Sequence, residues 1–196
     1  WPGETRRIGF CGAPRFAAEQ WESFLSLLNK LPWKFEIHSF ASESPGRAPA
    51  GGNIRILERP YAETEADMIR YFTENKMDAC YLGLWKEAKY ALFAEASLSS
   101  KLTTYLAAGV PVIADVPERS AAWKLVGEYD AGIRITGMDA QDICFLQNLF
   151  GDSMFHRHMS ERAICLCRDR FLLTANIRKL EMVLKGKTQK DRVHGK

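Results

Sequence analysis

The sequence predicts a doubly wound α/β fold: a mostly parallel, Rossmann-like sheet of about six strands with extra helices at the C-terminal end. Three observations predict it. Short apolar runs alternate with amphipathic helical stretches through most of the chain, the pattern of strands joined by crossover helices. Glycine and proline mark the passages between them. The last third shows helical periodicity and no further strand signal.

The elements follow in order. Residues 7–12 read as a strand running into a glycine turn, and Ala17, Trp21, Phe24, Leu25 and Leu28 then share one stripe of a helix that Pro32 closes. Residues 34–40 give the second strand, and 41–53, with Pro45-Gly46 and Pro49-Ala50-Gly51-Gly52, a loop. Residues 54–57 form a third strand. The helix over 64–74 is expected to turn Ala66, Ile69 and Phe72 inward. Residues 78–84 are almost continuously apolar, as expected of a central strand covered on both faces. A long loop with room for a short helix, 85–98, leads to a helix that starts near Ser100. The fifth strand is 111–114, a helix covers 119–126 and the sixth strand is 132–135. Residues 140–150, 153–168 and 171–185 read as helices, with Leu173, Ile177, Leu180 and Leu184 as the stripe of the last. One domain over 1–185 and a basic tail over 186–196 are expected.

Composition narrows the function classes. The chain has 196 residues, 46% of them apolar and 26% charged, which is globular rather than disordered. Its net charge of +3 lies partly in the tail, so the body is close to neutral. Such a tail reads as a solvated, disordered end, with an acidic membrane surface or nucleic acid as the sharper alternative. No aromatic-interleaved basic face supports nucleic acid as a partner. No apolar run reaches the ~18 residues of a membrane span, and no leader sequence is evident. Five cysteines without a CxxC pair fit a reducing, cytoplasmic setting. No metal site is expected, since Cys165 and Cys167, like His156 and His158, are two residues apart and do not share a helix face. The chain begins at Trp1 rather than Met, and is expected to be a trimmed fragment.

The densest signal is Ser97-Leu98-Ser99-Ser100-Lys101-Leu102-Thr103-Thr104-Tyr105-Leu106-Ala107-Ala108-Gly109-Val110-Pro111-Val112-Ile113-Ala114. Ser99 or Ser100 can cap the helix, whose leading N–H groups form a positive end that favours anions, and Lys101 adds a cation beside them. Leu102, Tyr105 and Leu106 mark a buried face, while Ser100, Thr103 and Thr104 share another that is expected to stay accessible. Gly109 and Pro111 end the helix and send the chain into the fifth strand. Doubly wound sheets bind ligands at the carboxyl ends of their strands, and this helix begins at that edge. An ordinary capped helix packed on a sheet would produce the same spacing.

Other candidates sit on the same edge. Gly12 and Arg15, after the first strand, can approach a diphosphate, although no GxGxxG pattern is present and Arg15 is equally a solvated residue. Glu118 and Arg119 can touch a sugar or simply favour a helix start. Tyr61 can pack on a nucleobase or in the core. No paired carboxylates, Ser/His/Asp set or nucleophilic cysteine can be assembled.

The segment from Ser99 to Ala114 resembles the "PSKL-x-x-YLAAG-x-PVI" string in the C-terminal half of GT-B glycosyltransferases. Residues 117–122 and 127–133 are similar to the "E-x-S-A…G-AGI" sequel of a bacterial, group 1-like branch. The likeness extends from about Arg7 to Lys185 and is most specific over 99–133. It implies a donor-binding domain in which Gly12, Arg15, Ser99, Ser100, Lys101, Thr103 and Thr104 line the diphosphate and ribose of a UDP- or GDP-type sugar. Tyr61, Glu95 and Glu118 would then lie near the base or sugar. It also implies metal-independent transfer to a glycan or lipid-linked acceptor in polysaccharide assembly, no cofactor, a cytoplasmic location with peripheral contact at the inner membrane surface, and an N-terminal domain of the same natural chain. Two departures stand out. Many retaining members place glutamates eight residues apart, and the aligned positions here are Ala96, beside Glu95, and Thr104. The length leaves no room for an acceptor domain. A Rossmann-like binding domain that has lost its nucleotide is the alternative.

Overall fold

β1 (Thr5–Cys11), β2 (Lys34–Phe40), β3 (Ile54–Glu58), β4 (Ala79–Gly83), β5 (Val112–Asp115) and β6 (Gly132–Arg134) form one sheet in the order β3-β2-β1-β4-β5-β6. The computed structural model describes residues 4–12, 18–41, 52–60, 62–87, 90–96, 98–174 and 176–177. Every pairing is parallel, with Ile8 opposite Ile37 and Ala79, and Cys80 opposite Val112. The predicted doubly wound fold is therefore observed, all-parallel rather than mostly so, and β4 lies inside the sheet as its apolar run requires.

Alternation along the strands feeds two cores. Ile8, Phe10, Ile37, Tyr81 and Ile113 face one side, where Trp21, Phe24 and Leu28 of α1 (Ala18–Leu28) and Leu146 and Phe150 of α6 (Ala140–Gly151) cover them. Cys80, Leu82, Val112 and Ala114 face the other side. There α2 (Glu65–Glu74), α4 (Ser100–Ala107), α5 (Ala121–Tyr129) and α7 (Ser153–Leu166) pack through Phe72, Tyr105, Val126 and Leu166. The short helix expected in the 85–98 segment is α3 (Ala91–Ala96).

Several local expectations need correction. The inward pair of α2 is Met68 and Phe72, spaced i, i+4; Ala66, two residues from Met68 and so near the opposite face, is exposed. Thr64, Ser120, Asp139 and Asp152 cap their helices through side-chain oxygens, whereas Ser99 holds the extended N-cap backbone of α4 without a side-chain cap bond. Gly109 ends α4 at φ +68, and Val110 N–H to Tyr105 C=O with Gly109 N–H to Leu106 C=O closes a Schellman turn. α7 gives way to a π-helical turn, Cys167–Phe171, before the end expected at 168. The predicted last helix is helical at 173–174 and 176–177, where Leu173 and Ile177 are exposed rather than buried in a stripe. Leu180, Leu184, the tail over 186–196 and most of the 41–53 loop lie outside the described residues. Among the described residues no helix is long and apolar enough to cross a membrane.

Candidate functional site

At the carboxyl edge of the sheet, β1 ends in Gly12, whose φ of +120 only glycine adopts freely and whose N–H donates to Phe40 C=O over 3.1 Å. A Cβ at Gly12 would run into the Lys101 ammonium, so the missing side chain is what lets Lys101 lie across the strand end. Leu102, Tyr105 and Leu106 are fully buried as expected and anchor α4, which fixes the opposite face of its first turn toward the edge. Cys11 N–H donates to Tyr105 Oη over 2.9 Å and ties β1 to that helix.

Between the starts of α2 and α4 lies a cleft of about 320 Å³. Ser100, Lys101, Thr103 and Thr104 line it from α4, Glu65 and Met68 from α2, and Cys11 forms part of its floor. Thr104 was expected to be accessible; it is only 8% exposed, and its hydroxyl donates to Glu65 Oε1 over 2.8 Å. The Thr103 hydroxyl donates to Ser100 C=O over 2.6 Å. Position 104 is thus not a carboxylate, but it holds one.

The electrostatics of the cleft are set by burial. Desolvation lowers the Lys101 pKa, opposed in part by Cys11. Burial pushes the Cys11 thiol up to about 11, against the Tyr105 hydrogen bond and the Lys101 charge. Burial likewise raises Tyr105 and Cys80 well above their ordinary values. These groups are neutral at physiological pH and offer Lys101 no counter-charge. Among the described residues no carboxylate approaches Lys101 within ion-pair distance, Glu65 included. The cleft thus holds a partly desolvated ammonium lying over a glycine turn.

The other expected residues are placed as follows. Ser99, Glu95 and Glu118 do not line the cleft; the Glu95 carboxylate on α3 faces Arg119 at 3.9 Å, and Glu118 is exposed before α5. Ala96 is exposed at the end of α3. Arg15 and Tyr61 lie outside the described residues. A second polar cluster lies on the same edge. Asp115, fully buried at the end of β5, accepts from Tyr81 Oη over 2.7 Å and pairs with Lys86 Nζ at 2.5 Å. Lys86 also donates to Ile135 C=O, so it fastens the segment after β4 to the ends of β5 and β6. Beyond it Trp85 and Tyr90 stack, and Leu92 and Phe93 of α3 are 80% and 57% exposed.

A parallel sheet in the order 3-2-1-4-5-6 with helices on both faces and a cleft at its carboxyl edge is a doubly wound, Rossmann-like architecture. No protein-family model and no curated protein sequence matches the chain. Solved structures do. Anabaena HepE in complex with UDP-glucose matches with a TM-score of 0.61 at 10% identity, over 93% of this chain and 49% of HepE. MurG of Acinetobacter baumannii matches with a TM-score of 0.55 at 17% identity, over 93% of this chain and 52% of MurG. WaaG, a glycosyltransferase involved in lipopolysaccharide biosynthesis, matches with a TM-score of 0.54 at 13% identity, over 93% and 48%. The chain therefore has the fold of one GT-B domain and spans about half the length of the structures it resembles.

Proposed function

We propose that this chain is the donor-binding half of a glycosyltransferase, taking a UDP- or GDP-type sugar into the cleft between α2 and α4. The observation that carries the reading is Lys101, a desolvated ammonium lying over Gly12 with no counter-charge among the described residues. A diphosphate supplies that counter-charge, and the α4 start, whose N-cap serine makes no side-chain bond, adds a favourable dipole. Lys101 and the helix end then neutralise the diphosphate as it leaves, which requires no divalent cation. HepE, which shares the fold, holds UDP-glucose.

Sugar transfer requires a second domain to bring the acceptor, a glycan or a lipid-linked sugar, against the donor. The exposed Leu92 and Phe93 beside the edge suit such an apposition. One domain over 1–185 and a basic tail at the cytoplasmic face of a membrane belong to the same reading. The alternative, a binding domain that has lost its nucleotide, draws on Ala96 and Thr104, where carboxylates are missing. Calorimetric titration of the chain with UDP, GDP and their sugar conjugates separates the two. Saturable binding is expected; no binding of any of them at millimolar concentration would sink the donor-site reading.

A further inference from the structure

We propose that the trough along the open edge of β6 is a second ligand site, one that takes a monocarboxylate with an aromatic or branched apolar body. The proposal does not rest on the donor-site reading: β6 is a terminal strand of the sheet, and the trough shares no lining residue with the α2–α4 cleft.

The trough has a volume of about 460 Å³, a size that suits a small molecule. Its base is strand edge. Val112 N–H donates to Ala131 C=O over 3.1 Å and Ile135 N–H to Ala114 C=O over 2.9 Å, so the odd-numbered residues of this stretch bond β5. In a parallel ladder the residues between them turn the other way, which leaves the N–H and C=O groups of Gly132 and Arg134 along the open edge. The α6 and α7 side is apolar: Phe145 of α6 and Phe155 and Met159 of α7 line it beside Ile133.

The α5 side carries a prepared cation. The Arg134 guanidinium lies 4.9 Å from the centre of the Trp123 ring and against Gly127, where a Cβ would come within 2.5 Å of Nη1. Trp123 and Gly127 are four residues apart on α5, so one helix face supplies both the ring that sets the plane of the guanidinium and the glycine that leaves room for it. That ring is its one partner among the described residues, and no carboxylate lies within ion-pair distance, Asp130 on the same rim included. The N–H edges of the guanidinium are left for a ligand, and their fork matches a carboxylate. Asp130 repels a second negative charge, which favours a monocarboxylate over a phosphate ester or a nucleotide. A ligand that fits places its carboxylate on Arg134 and its apolar body against Phe145, Phe155 and Met159.

The test is calorimetric titration of the 196-residue chain with 4-phenylbutyrate and with 4-phenylbutyramide, which keeps the apolar body and removes the charge. Saturable binding of the carboxylate is expected in the millimolar range or tighter, about tenfold or more stronger than that of the amide. Arg134→Gln should bring that ratio to within about twofold, and Phe145→Ser should weaken both probes alike. Both residues are exposed, so the fold is expected to survive, and the carboxylate-to-amide ratio of the wild type tests the proposal without any variant. Lys101→Met should leave both probes unaffected. No saturable binding of 4-phenylbutyrate at about 10 mM, a ratio that Arg134→Gln does not change, or a loss in Lys101→Met as large as in Arg134→Gln would overturn the proposal. The last outcome would put the probe in the α2–α4 cleft instead, and none of the three touches the donor-site reading.

Discussion

Replacing Lys101 by Met should weaken diphosphate binding while leaving the unliganded protein as stable as before, or more so. The variant keeps the apolar stem, which packs at the end of β1, and removes only the ammonium. A charge-assisted contact of this kind contributes about 1.5–3 kcal/mol, so affinity for UDP and for pyrophosphate should fall roughly tenfold to a hundredfold, while uridine is unaffected. Stability moves the other way because burial lowers the Lys101 pKa: folding disfavours the charged form. The unfolded chain then binds that proton more tightly than the fold does. The stability linked to this residue therefore rises with pH from the depressed folded value up to the ordinary lysine value of about 10.4, and the variant lacks that rise. Calorimetry with the three ligands and urea unfolding at several pH values read both effects. A variant destabilised by more than about 1 kcal/mol with unchanged pyrophosphate affinity would mean that Lys101 is held by the fold rather than kept for a ligand.

The Cys11 thiol, raised to about 11, keeps its proton in the fold when the unfolded chain has lost it. Its contribution is complete below the ordinary cysteine value of about 8.5 and disappears as pH climbs to about 11; wild type should lose on the order of 3 kcal/mol more than Cys11→Ala across that window, measured by urea unfolding at its two ends. A difference that does not vary with pH would show that burial of the thiol does not control it. Gly9→Ala would place a methyl 2.8 Å from Cys80 Sγ and 2.9 Å from Phe72 Cε1, both fully buried, and is expected to cost roughly 1–3 kcal/mol. Adding Phe72→Leu should return part of that loss; strictly additive effects would mean the two residues do not press on each other.

The predicted strands lie within one or two residues of the observed ones because apolar runs of this length, bounded by glycine and proline, have few other ways to bury themselves. α4 was equally legible, since Leu102, Tyr105 and Leu106 define its core face and Gly109 its end. The errors share a cause. Spacing puts Ala66 inward although a small residue satisfies it without needing burial, and residue type offers Ser99 or Ser100 as the α4 cap without saying where a hydroxyl turns; Ser99 is the N-cap by its backbone and makes no side-chain cap bond. The lack of a Cβ at Gly9 serves the close approach of Phe72 and Cys80, which no local spacing in β1 announces.

The cleft was only half legible for a different reason. Every residue it takes from α4 lies in one contiguous string, so spacing alone could propose them together. Glu65 comes from another helix, 39 positions from Thr104, and reads locally as an acidic residue in a capped first turn. The topological rule supplies the missing link: α2 and α4 both follow strands whose carboxyl ends share one edge, so their first turns converge there whatever their separation in sequence. Under the donor-site proposal, a threonine at a position where many retaining members place a glutamate is then weak grounds for a lost site. α2 brings the Glu65 carboxylate to the same cleft, and the Thr104 hydroxyl donates to it there.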